Sequence, residues 1–347
     1  MKKGIYISIK WIVFMLIIIV LLSRLSLYYE NPKHADYNYQ AFQSLPDEPD
    51  ILVFGTSLME MAFAPNELYK KYGYTAYNLA APSQRLDSTY FVLETMLKER
   101  QPKYIFIGTD YINEISKSET LDEEILSIRK IQGNEIAKWR YLYNHFKTRS
   151  MEYLKFYLPI LQFHNDLLDG KCEIERSQIS EKLYSKGYYY MEGSFPMELP
   201  KQGTTEEEIS EEAVAFTREV VDMCHQRGIE VVFVTIPIPE GFLYEESIEK
   251  NFSDCYHINF YELYEEIGLD GKVDFVNEHH LGLSGATKVT DYIGAYLLNN
   301  SNLQDHRKQN ENNIWDITLQ FDNGEKYNNI DIERWEEKLR FAGYSGF

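Results

Sequence analysis

The stretch Ile51-Leu52-Val53-Phe54-Gly55-Thr56-Ser57 decides the fold of this chain. Its four apolar residues follow the segment 46–50, in which two prolines and two aspartates favour a turn, and they stop abruptly at a glycine. A short apolar run bounded by turn residues is typical of a strand that is buried on both faces of a sheet. The stretch therefore predicts a buried strand whose end carries the Ser57 hydroxyl into a turn.

Apolar runs of the same kind recur along the chain, and segments with helical patterns separate them. The further predicted strands are residues 75–79, 104–107, 229–236 and 256–260. Strands that alternate with helices predict an α/β fold in which helices cover both faces of a parallel sheet. We expect this α/β domain to extend over residues 51–299.

Two helices of the domain have starts that the sequence predicts. Thr205-x-x-Glu208 has the spacing of a capping box, and it predicts a long amphipathic helix that ends near Gln226. Ser284 is a suitable N-cap for the last helix of the series, which is predicted over residues 285–298.

Two segments depart from this alternation. Residues 115–200 are rich in tyrosine, leucine and charge, with helical spacing and no clear strand, and they predict a helical insertion that serves as a lid or a substrate platform. Residues 300–347 are more polar and are predicted to form a small C-terminal extension. Within it, residues 315–321 and the turn Asp322-Asn323-Gly324 predict a hairpin arm, and residues 331–341 predict a helix.

The N-terminal region contains an unbroken apolar run, WIVFMLIIIVLL, from Trp11 to Leu22. Twelve residues are fewer than the roughly 20 that span a bilayer, but apolar flanks extend the run, and Lys10 and Arg24 can reach the interfaces. No small-x-small cleavage site follows, which favours an uncleaved signal anchor over the alternative, a removed signal peptide. The leading Met1-Lys2-Lys3 predicts a cytoplasmic N-terminus and an extracytoplasmic main domain.

The predicted membrane-spanning segment covers about residues 5–27, within an N-terminal region of residues 1–29. Such a segment predicts a single-pass protein of the cell membrane. Residues 30–50 are mostly polar and contain three prolines, and they are predicted to be a tether between the anchor and the α/β domain.

Composition argues against two kinds of site. The chain carries 54 acidic side chains against 35 lysines and arginines, a formal net charge of −19. Because nucleic-acid binding needs clustered lysine and arginine, this acidity argues against a nucleic-acid partner. Cys172, Cys224 and Cys255 have no CxxC or zinc-ligand spacing, so they predict no metal site and require no disulfide.

Ser57 and His280 are the residues with which this sequence could perform catalysis. Ser57 directly follows a strand, at the carboxyl edge where open α/β sheets place their ligand sites. A serine hydroxyl needs a base to take its proton, and His280 lies just before the predicted last helix. The alternatives are a turn or helix-capping role for Ser57 and a surface or core role for a histidine of the pair His279-His280. The pair lacks HExxH spacing and does not predict a metal site.

The order of these segments resembles the SGNH/GDSL hydrolase superfamily, which has a flavodoxin-like three-layer α/β/α fold. In that family four blocks follow in order: Gly-x-Ser, Asn-x-Gly-x-x-Gly, Gly-x-Asn-Asp, and Asp-x-x-His before the terminal helix. The corresponding segments here are Gly55-Thr56-Ser57, Asn78-Leu79-Ala80-Ala81-Pro82-Ser83, Gly108-Thr109-Asp110 and Asn277-Glu278-His279-His280. The resemblance covers about residues 50–114 and 204–299.

The resemblance implies a role for each residue of these blocks. Ser57 would be the nucleophile, His280 the base, and Asn277, or else Asp274, the residue that orients the imidazole. The N–H groups of Ser57 and Ala80 would form the oxyanion hole. The remaining implied site residues are Asn78, Asp110 and Asn113.

The blocks also depart from the family pattern. Ala80 and Ser83 replace the glycines of the second block, and Asp110 replaces the asparagine of the third. An ionised Asp110 cannot donate to an oxyanion, and Asn113 is the candidate substitute. Asn277 replaces the aspartate of the fourth block, and in serine proteases the equivalent change lowers turnover by roughly 10⁴ through the wrong histidine tautomer.

Within the superfamily, the anchored outward domain resembles DltD-like proteins and the membrane-anchored polysaccharide acetylation proteins. This resemblance implies an O-acyltransferase or esterase that acts on acyl groups of cell-envelope polysaccharide or teichoic acid, beside a membrane-bound O-acyltransferase. It implies no metal and no organic cofactor. The alternative is a non-catalytic SGNH-like protein that binds an envelope glycan or scaffolds that acyltransferase.

Overall fold

The structure is a computed structural model that describes most of the chain. The described residues are 2–26, 36–115, 123–145, 150–163, 171–199, 206–238, 241, 243–307, 313–321 and 331–344. All statements below refer to these residues.

A parallel sheet forms the centre of the molecule. Its strands, among the described residues, are β1 Ile51–Phe54, β2 Ala76–Asn78, β3 Tyr104–Gly108, β4 Glu230–Thr235 and β5 Tyr256–Asn259. They lie in the order β2-β1-β3-β4-β5, and every neighbouring pair is parallel. The predicted α/β class, the parallel sheet and each predicted strand are confirmed.

Helices pack on both faces of the sheet and give three layers. In chain order they are α1 Lys2–Ser26, α2 Asn38–Ser44, α3 Ser57–Ala62, α4 Pro65–Tyr72, α5 Leu86–Met96, α6 Glu123–Lys130, α7 Glu135–His145, α8 Ser150–Tyr157, α9 Ile160–Phe163, α10 Lys171–Ser185, α11 Glu211–His225, α12 Glu245–Asn251, α13 Phe260–Leu263, α14 Leu283–Asn300, α15 Ile314–Leu319 and α16 Ile332–Phe341.

Strand β1 is buried on both faces because its side chains alternate between two cores. Ile51 and Val53 belong to a core formed with α3, α4 and α14. Leu52 and Phe54 belong to the other core, which includes α5, α11 and parts of the insertion. This double burial explains why the strand reads as an unbroken apolar run.

The strand order places a crevice beside β1. The chain runs from β1 to β2 on one side of β1 and then returns to β3 on the other side. Val53 in β1 pairs with Asn78 of β2 and with Phe106 of β3. A sheet of order 2-1-3-4-5 is flavodoxin-like, and such sheets bind ligands at the carboxyl ends of the two strands where the order reverses. The residues after β1 and β3 therefore lie at the crevice.

The insertion is helical, as predicted. It contains α6 to α10, and the described residues between positions 115 and 200 include no strand. Helix α7 packs on α5, while α6 and α10 pack on α2. Residues 116–122, 146–149 and 164–170 of the insertion lie outside the described residues.

The expectation of a tether over residues 30–50 is wrong for its second half. Helix α2 lies in that segment, and Tyr39 and Phe42 are buried in the core under α10 and the sheet. Their apolar side chains hold the segment against the domain, which a free tether would not allow. Residues 27–35 lie outside the described residues.

Both predicted helix starts are shifted. Helix α11 begins at Glu211 because Ser210 is its cap and accepts from the N–H of Ala213, so Glu208 lies before the helix; Thr205 lies outside the described residues. Helix α14 begins at Leu283 with Gly282 at the cap position, and the hydroxyl of Ser284 donates instead to Asp274.

The C-terminal extension is helical where the sequence predicts a hairpin arm. Asn313 caps α15 by accepting from the N–H of Asp316, and Trp315 and Ile317 are both buried. The alternating pattern of residues 315–321 is therefore the buried side of a short helix, and the turn at 322–324 lies outside the described residues. Helix α16 confirms the predicted helix at 331–341.

Helix α1 contains the N-terminal apolar run. Its segment Ile9–Ser26 has 18 residues and a mean hydropathy of 2.2, so it is long and apolar enough to cross a membrane. Most of its side chains are exposed, as the surface of a lipid-facing helix would be.

Candidate active site

A strained glycine turn positions Ser57. Gly55 has φ +143°, and a Cβ at this residue would lie 2.8 Å from Cγ of Met59 and 3.3 Å from Cα of Gly108. Only glycine fits this backbone and this space without a shift. The turn delivers Ser57 to the first position of α3, and the hydroxyl of Thr56 caps the helix by accepting from the N–H of Leu58.

A short loop before α14 positions His280. The loop is closed by an antiparallel bridge between Phe275 and Leu281, and the N–H of Gly282 donates to the carbonyl of Asp274. The carboxylate of Asp274 is fully buried and accepts from Ser284 and Lys288 at 2.6 Å each. These contacts fix the loop against the start of α14.

The two predicted catalytic side chains meet. Oγ of Ser57 lies 2.7 Å from Nε2 of His280, and Nδ1 of His280 lies 2.9 Å from Oδ1 of Asn277. Ser57 follows β1 and His280 lies in the loop before α14, so the two residues are 223 positions apart in sequence. Serine, histidine and asparagine thus form one hydrogen-bonded chain.

The surroundings of Asn277 fix the tautomer of His280. Its Oδ1 also accepts from the backbone N–H groups of His279 and His280, both at 2.9 Å, so the amide oxygen and not the nitrogen faces the ring. An acceptor at Nδ1 requires that Nδ1 carry the proton. The lone pair of Nε2 then faces Ser57, whose hydroxyl donates to it, and the wrong-tautomer difficulty expected for an asparagine does not arise in this geometry.

The ring of His280 is held in the neutral form that a base needs. Burial, with a smaller contribution from the charge of His279, lowers the pKa of His280 below its ordinary value of 6.5. His279 itself is exposed, and its ring is perpendicular to that of His280 at a centroid distance of 6.4 Å. A neutral His280 at neutral pH can accept the proton of Ser57.

Asp274 does not contact the imidazole. Its oxygens are bonded to Ser284, Lys288 and the N–H of Asp270, whereas Asn277 occupies Nδ1 of His280. The alternative in which Asp274 orients the base is therefore corrected. Asp274 acts on the loop and not on the ring.

Asn78 and Ala80, of the second block, use their hydrogen-bond donors within the protein, and Asn78 supports α3. Nδ2 of Asn78 donates to the carbonyls of Met59 and Phe63, and its Oδ1 accepts from the N–H of Ala80 at 3.1 Å. The expectation of an open Ala80 donor is wrong because Asn78 already uses that N–H. Ser83 has φ +55°, the left-handed conformation that a glycine would adopt at lower cost.

Asp110 lies beside the Ser57 turn, at the carboxyl end of β3. It accepts from the hydroxyl of Thr56, the residue that precedes the serine. Burial raises the pKa of Asp110 to about 6, although the hydrogen bond from Thr56 acts in the opposite direction. With this pKa the carboxyl group is mostly ionised at pH 7, and only its minor protonated form could donate a hydrogen bond as the asparagine of the third block would.

Asn113 is engaged elsewhere. Its Nδ2 donates to the carbonyl of Glu208 at 3.1 Å, and its Oδ1 accepts from the N–H of Ser210 at 2.9 Å. Both ends of the amide thus hold the segment that leads into α11. The interpretation of Asn113 as a replacement for the third-block asparagine is corrected, because its described hydrogen bonds go to this segment and to the side chain of Tyr244 and not to the Ser57 turn.

The sequence did not identify Gln84 as a residue that stabilises the glycine turn. Oε1 of Gln84 accepts from the N–H of Gly55 at 2.9 Å, and its Nε2 donates to the carbonyl of Leu79 and to the hydroxyl of Tyr39. Gln84 is buried and its partners are scattered in sequence, so no local pattern identifies it. Gly108 has a steric role that no local pattern indicates, because a Cβ at this position would lie 2.6 Å from Cγ of Met59.

One grouping of the described residues has the side chains of a metal site. Ligand atoms of His225, Asp254 and Cys255 lie within 4.8 Å of one another, at the amino edge of the sheet and away from Ser57. Both oxygens of Asp254 already accept from Arg218, at 2.9 and 2.7 Å. Burial also raises the pKa of the Cys255 thiol to about 12, so the thiolate that a metal would bind is disfavoured.

Comparison with known proteins adds no name to this arrangement. No protein-family profile matches the chain, and no curated protein matches it. The chemistry is therefore argued from geometry. A serine hydroxyl that donates to a neutral histidine of fixed tautomer, at the edge of an α/β sheet where ligands bind, has the geometry of an activated nucleophile.

Proposed function

We propose that this protein is a membrane-anchored, extracytoplasmic O-acyltransferase or esterase of SGNH type. It acts on acyl groups of cell-envelope polysaccharide or teichoic acid. The observation that carries the proposal is the 2.7 Å contact between Oγ of Ser57 and Nε2 of His280, with the amide oxygen of Asn277 on the opposite nitrogen.

The geometry accounts for a two-step reaction. Oγ of Ser57 attacks the acyl carbonyl carbon while Nε2 of His280 takes the hydroxyl proton. The tetrahedral intermediate then expels the original alkoxide, which receives that proton, and leaves an acyl ester on Ser57. In the second step, His280 deprotonates water or a sugar hydroxyl, and this oxygen attacks the ester carbonyl carbon. As the bond from the acyl group to Oγ of Ser57 breaks, His280 returns the proton to Oγ.

Two groups at the turn are suited to the developing oxyanion. The N–H of Ser57 is the first of α3 and has no acceptor within the helix. Asp110, at the end of β3, would add an O–H donor in its protonated form, which is the minor form at pH 7 for a pKa of about 6. Asn277 contributes a partial negative charge beside the imidazolium that forms at His280.

The fold and the anchor support the rest of the proposal. The four segments that resemble SGNH blocks all lie at the carboxyl edge of a sheet of order 2-1-3-4-5. The apolar segment Ile9–Ser26 would confine the site to the membrane surface, where envelope polymers are assembled. A membrane-bound O-acyltransferase that supplies or receives the acyl group is the partner that this location suits.

A second candidate is a non-catalytic protein that binds an envelope glycan or scaffolds such an acyltransferase. Two observations favour it. The N–H of Ala80 is used by Asn78, and the fourth block has an amide in place of a carboxylate. Both features reduce the electrostatic stabilisation of a charged transition state.

Turnover separates the two candidates. The purified full-length protein in detergent is given p-nitrophenyl acetate and an O-acetylated envelope polysaccharide, and acetate release is measured. Wild type and the exposed-serine control Ser253→Ala should release acetate at equal rates, and Ser57→Ala should lose the activity. Polymer binding without acetate release, equal in wild type and Ser57→Ala, would favour the non-catalytic candidate.

A further inference from the structure

The insertion touches the end of the apolar helix. The backbone N–H of Ile160, at the start of α9, donates to Oγ of Ser26, the last residue of α1, at 2.7 Å. Ser26 is fully buried, while its neighbour Leu25 is exposed. Helix α9 therefore covers the point at which α1 ends.

The helices at this point expose apolar side chains in a stripe. The anchor-side stripe consists of Met151, Leu154, Tyr157 and Leu161, which are 58, 46, 38 and 45% exposed. Met151, Leu154 and Tyr157 are three residues apart and lie on one side of α8, and Leu161 follows on α9 after the break at residues 158–159. Phe156, on the opposite side of α8, is buried in the domain core.

Helix α7, which precedes α8, has the same two-sided character. Trp139 and Tyr143 are exposed, and their rings stack at 5.4 Å. Ala137 and Leu142 face the core. Tryptophan and tyrosine with an apolar body and a polar edge are the residues enriched at membrane interfaces.

The charge of this segment is opposite to that of the chain. Residues 129–155 contain seven lysines and arginines against two glutamates, in a chain whose formal net charge is −19. Four of the five basic residues that the structure describes in this segment are paired with glutamates: Lys130 with Glu175, Lys138 with Glu135, Arg140 with Glu94 and Lys155 with Glu152. Lys138 is also buried. The basic excess is therefore a feature of the sequence, and the exposed apolar side chains of the stripe are what suit this side of the insertion to the interfacial layer of a bilayer.

We propose that the anchor-side stripe lies in the interfacial layer of the bilayer that holds α1. Helices α8 and α9 then form a second membrane contact, and the lipid surface is the partner. The proposal rests on the membrane anchoring proposed above, but not on catalysis. Because the insertion follows β3 directly, this contact would set the orientation of the sheet edge that carries Ser57 relative to the membrane.

Tryptophan quenching by lipid tests the proposal in the full-length protein. Trp11→Phe and Trp139→Phe together leave Trp315 and Trp335, which are buried. Leu154→Trp in this background places a probe on the stripe. The matched control is Leu298→Trp, an exposed leucine near the end of α14, which packs on the other face of the sheet. Each variant is reconstituted into vesicles of phosphatidylcholine and phosphatidylglycerol with brominated acyl chains.

We expect brominated lipid to quench the Leu154→Trp probe several-fold more strongly than the Leu298→Trp probe, and aqueous iodide to show the reverse order. Met151→Trp provides a second probe if Leu154→Trp does not fold. The proposal would be overturned if the protein floats with the vesicles but brominated lipid quenches both probes equally and iodide reaches both. That result would point to a protein partner for the stripe. Failure to float after a carbonate wash would overturn the anchoring itself, whereas loss of acetate release alone would leave this proposal standing.

Discussion

The Ser57 site and the surroundings of Lys186 both place polar side chains inside the domain. They differ in how exposed these side chains are and in how many protein groups contact them. Ser57 and His280 are half-buried and contact each other at the crevice. Lys186 is fully buried with φ +55°, between α10 and the C-terminal extension. Its ammonium group contacts two carbonyls, one hydroxyl and two indole rings, those of Leu183, Tyr184, Thr318, Trp315 and Trp335.

This difference suits the polar groups at Ser57 to chemistry and those around Lys186 to holding the fold together. At Lys186, every partner belongs to the protein, so the side chain joins the end of α10 to α15 and α16. At Ser57, the protein fixes the imidazole through Asn277, and both Ser57 and His280 keep part of their surface exposed. Substitutions at the first centre should change stability, and those at the second should change chemistry.

The largest expected effect is on chemistry, from His280→Ala. Removal of the base should lower acetate release by about 10³-fold, because general-base catalysis contributes roughly 10²–10⁴. The urea midpoint should change little, since His280 is half-buried at a loop. His279→Ala, at the exposed neighbouring position, is the control and should keep most of the activity. Equal activity in His280→Ala and wild type would remove the basis of the proposed mechanism.

The next effect is on stability, from Lys186→Met. The variant keeps much of the side-chain volume but leaves buried acceptors unpaired, and it should lose about 2–4 kcal/mol of unfolding free energy. Urea denaturation measures the loss. The folded variant should still react at Ser57, and a loss of reactivity without a loss of stability would contradict the division drawn above.

The same residue predicts a pH dependence of stability. Burial lowers the pKa of Lys186 to about 7, from 10.5 in an exposed lysine. Between these two values the unfolded chain binds a proton that the folded protein lacks, so stability rises with pH. The unfolding free energy of wild type relative to Lys186→Met should therefore increase from pH 7 to 9. A flat or falling difference would show that the ammonium stays charged among its partners.

A smaller effect on both properties is expected from Gly55→Ala. The left-handed φ and the 2.8 Å approach of Met59 should cost about 1–3 kcal/mol and displace Ser57, slowing acetate release. Gly268→Ala is the matched control, because Gly268 has φ +67° but nothing within 4 Å of a Cβ. The control should lose some stability and no activity, which separates backbone strain from displacement of the serine.

The smallest effect is a shift of the pH profile by Asn277→Asp. In wild type, burial lowers the pKa of His280, so the acid limb of activity should lie below pH 6.5. A carboxylate beside Nδ1 favours the imidazolium and should move this limb upward by about one pH unit. An unchanged limb, measured with p-nitrophenyl acetate across the acid range, would show that residue 277 does not act on the titrating group.

The sequence predicts the parts of this molecule that are local. The apolar run at 51–54 falls on β1, the predicted strand at 229–236 contains β4, and the glycine after β1 falls at the turn that presents Ser57. The histidine before the last helix is also identifiable, because a base must come from a second strand end or loop. Each of these features depends on a few neighbouring residues.

The parts that escape prediction depend on partners that are distant in sequence. Asn78 and Asn113 look like substrate-facing amides, but their hydrogen bonds go to backbone atoms of α3 and of the segment before α11. Residues 315–321 alternate like a strand, yet the burial of Trp315 against the distant Tyr69 favours a short helix. Tertiary contacts decided all three cases.

Labelling of Ser57 with a fluorophosphonate tests the central claim most directly. The full-length protein in detergent is treated with the probe, and the modified peptide is identified by mass spectrometry. The dyad geometry predicts one adduct, on Ser57, that is absent in Ser57→Ala and strongly reduced in His280→Ala. Equal labelling of wild type and Ser57→Ala, or no labelling of folded wild type, would contradict an activated serine at this site.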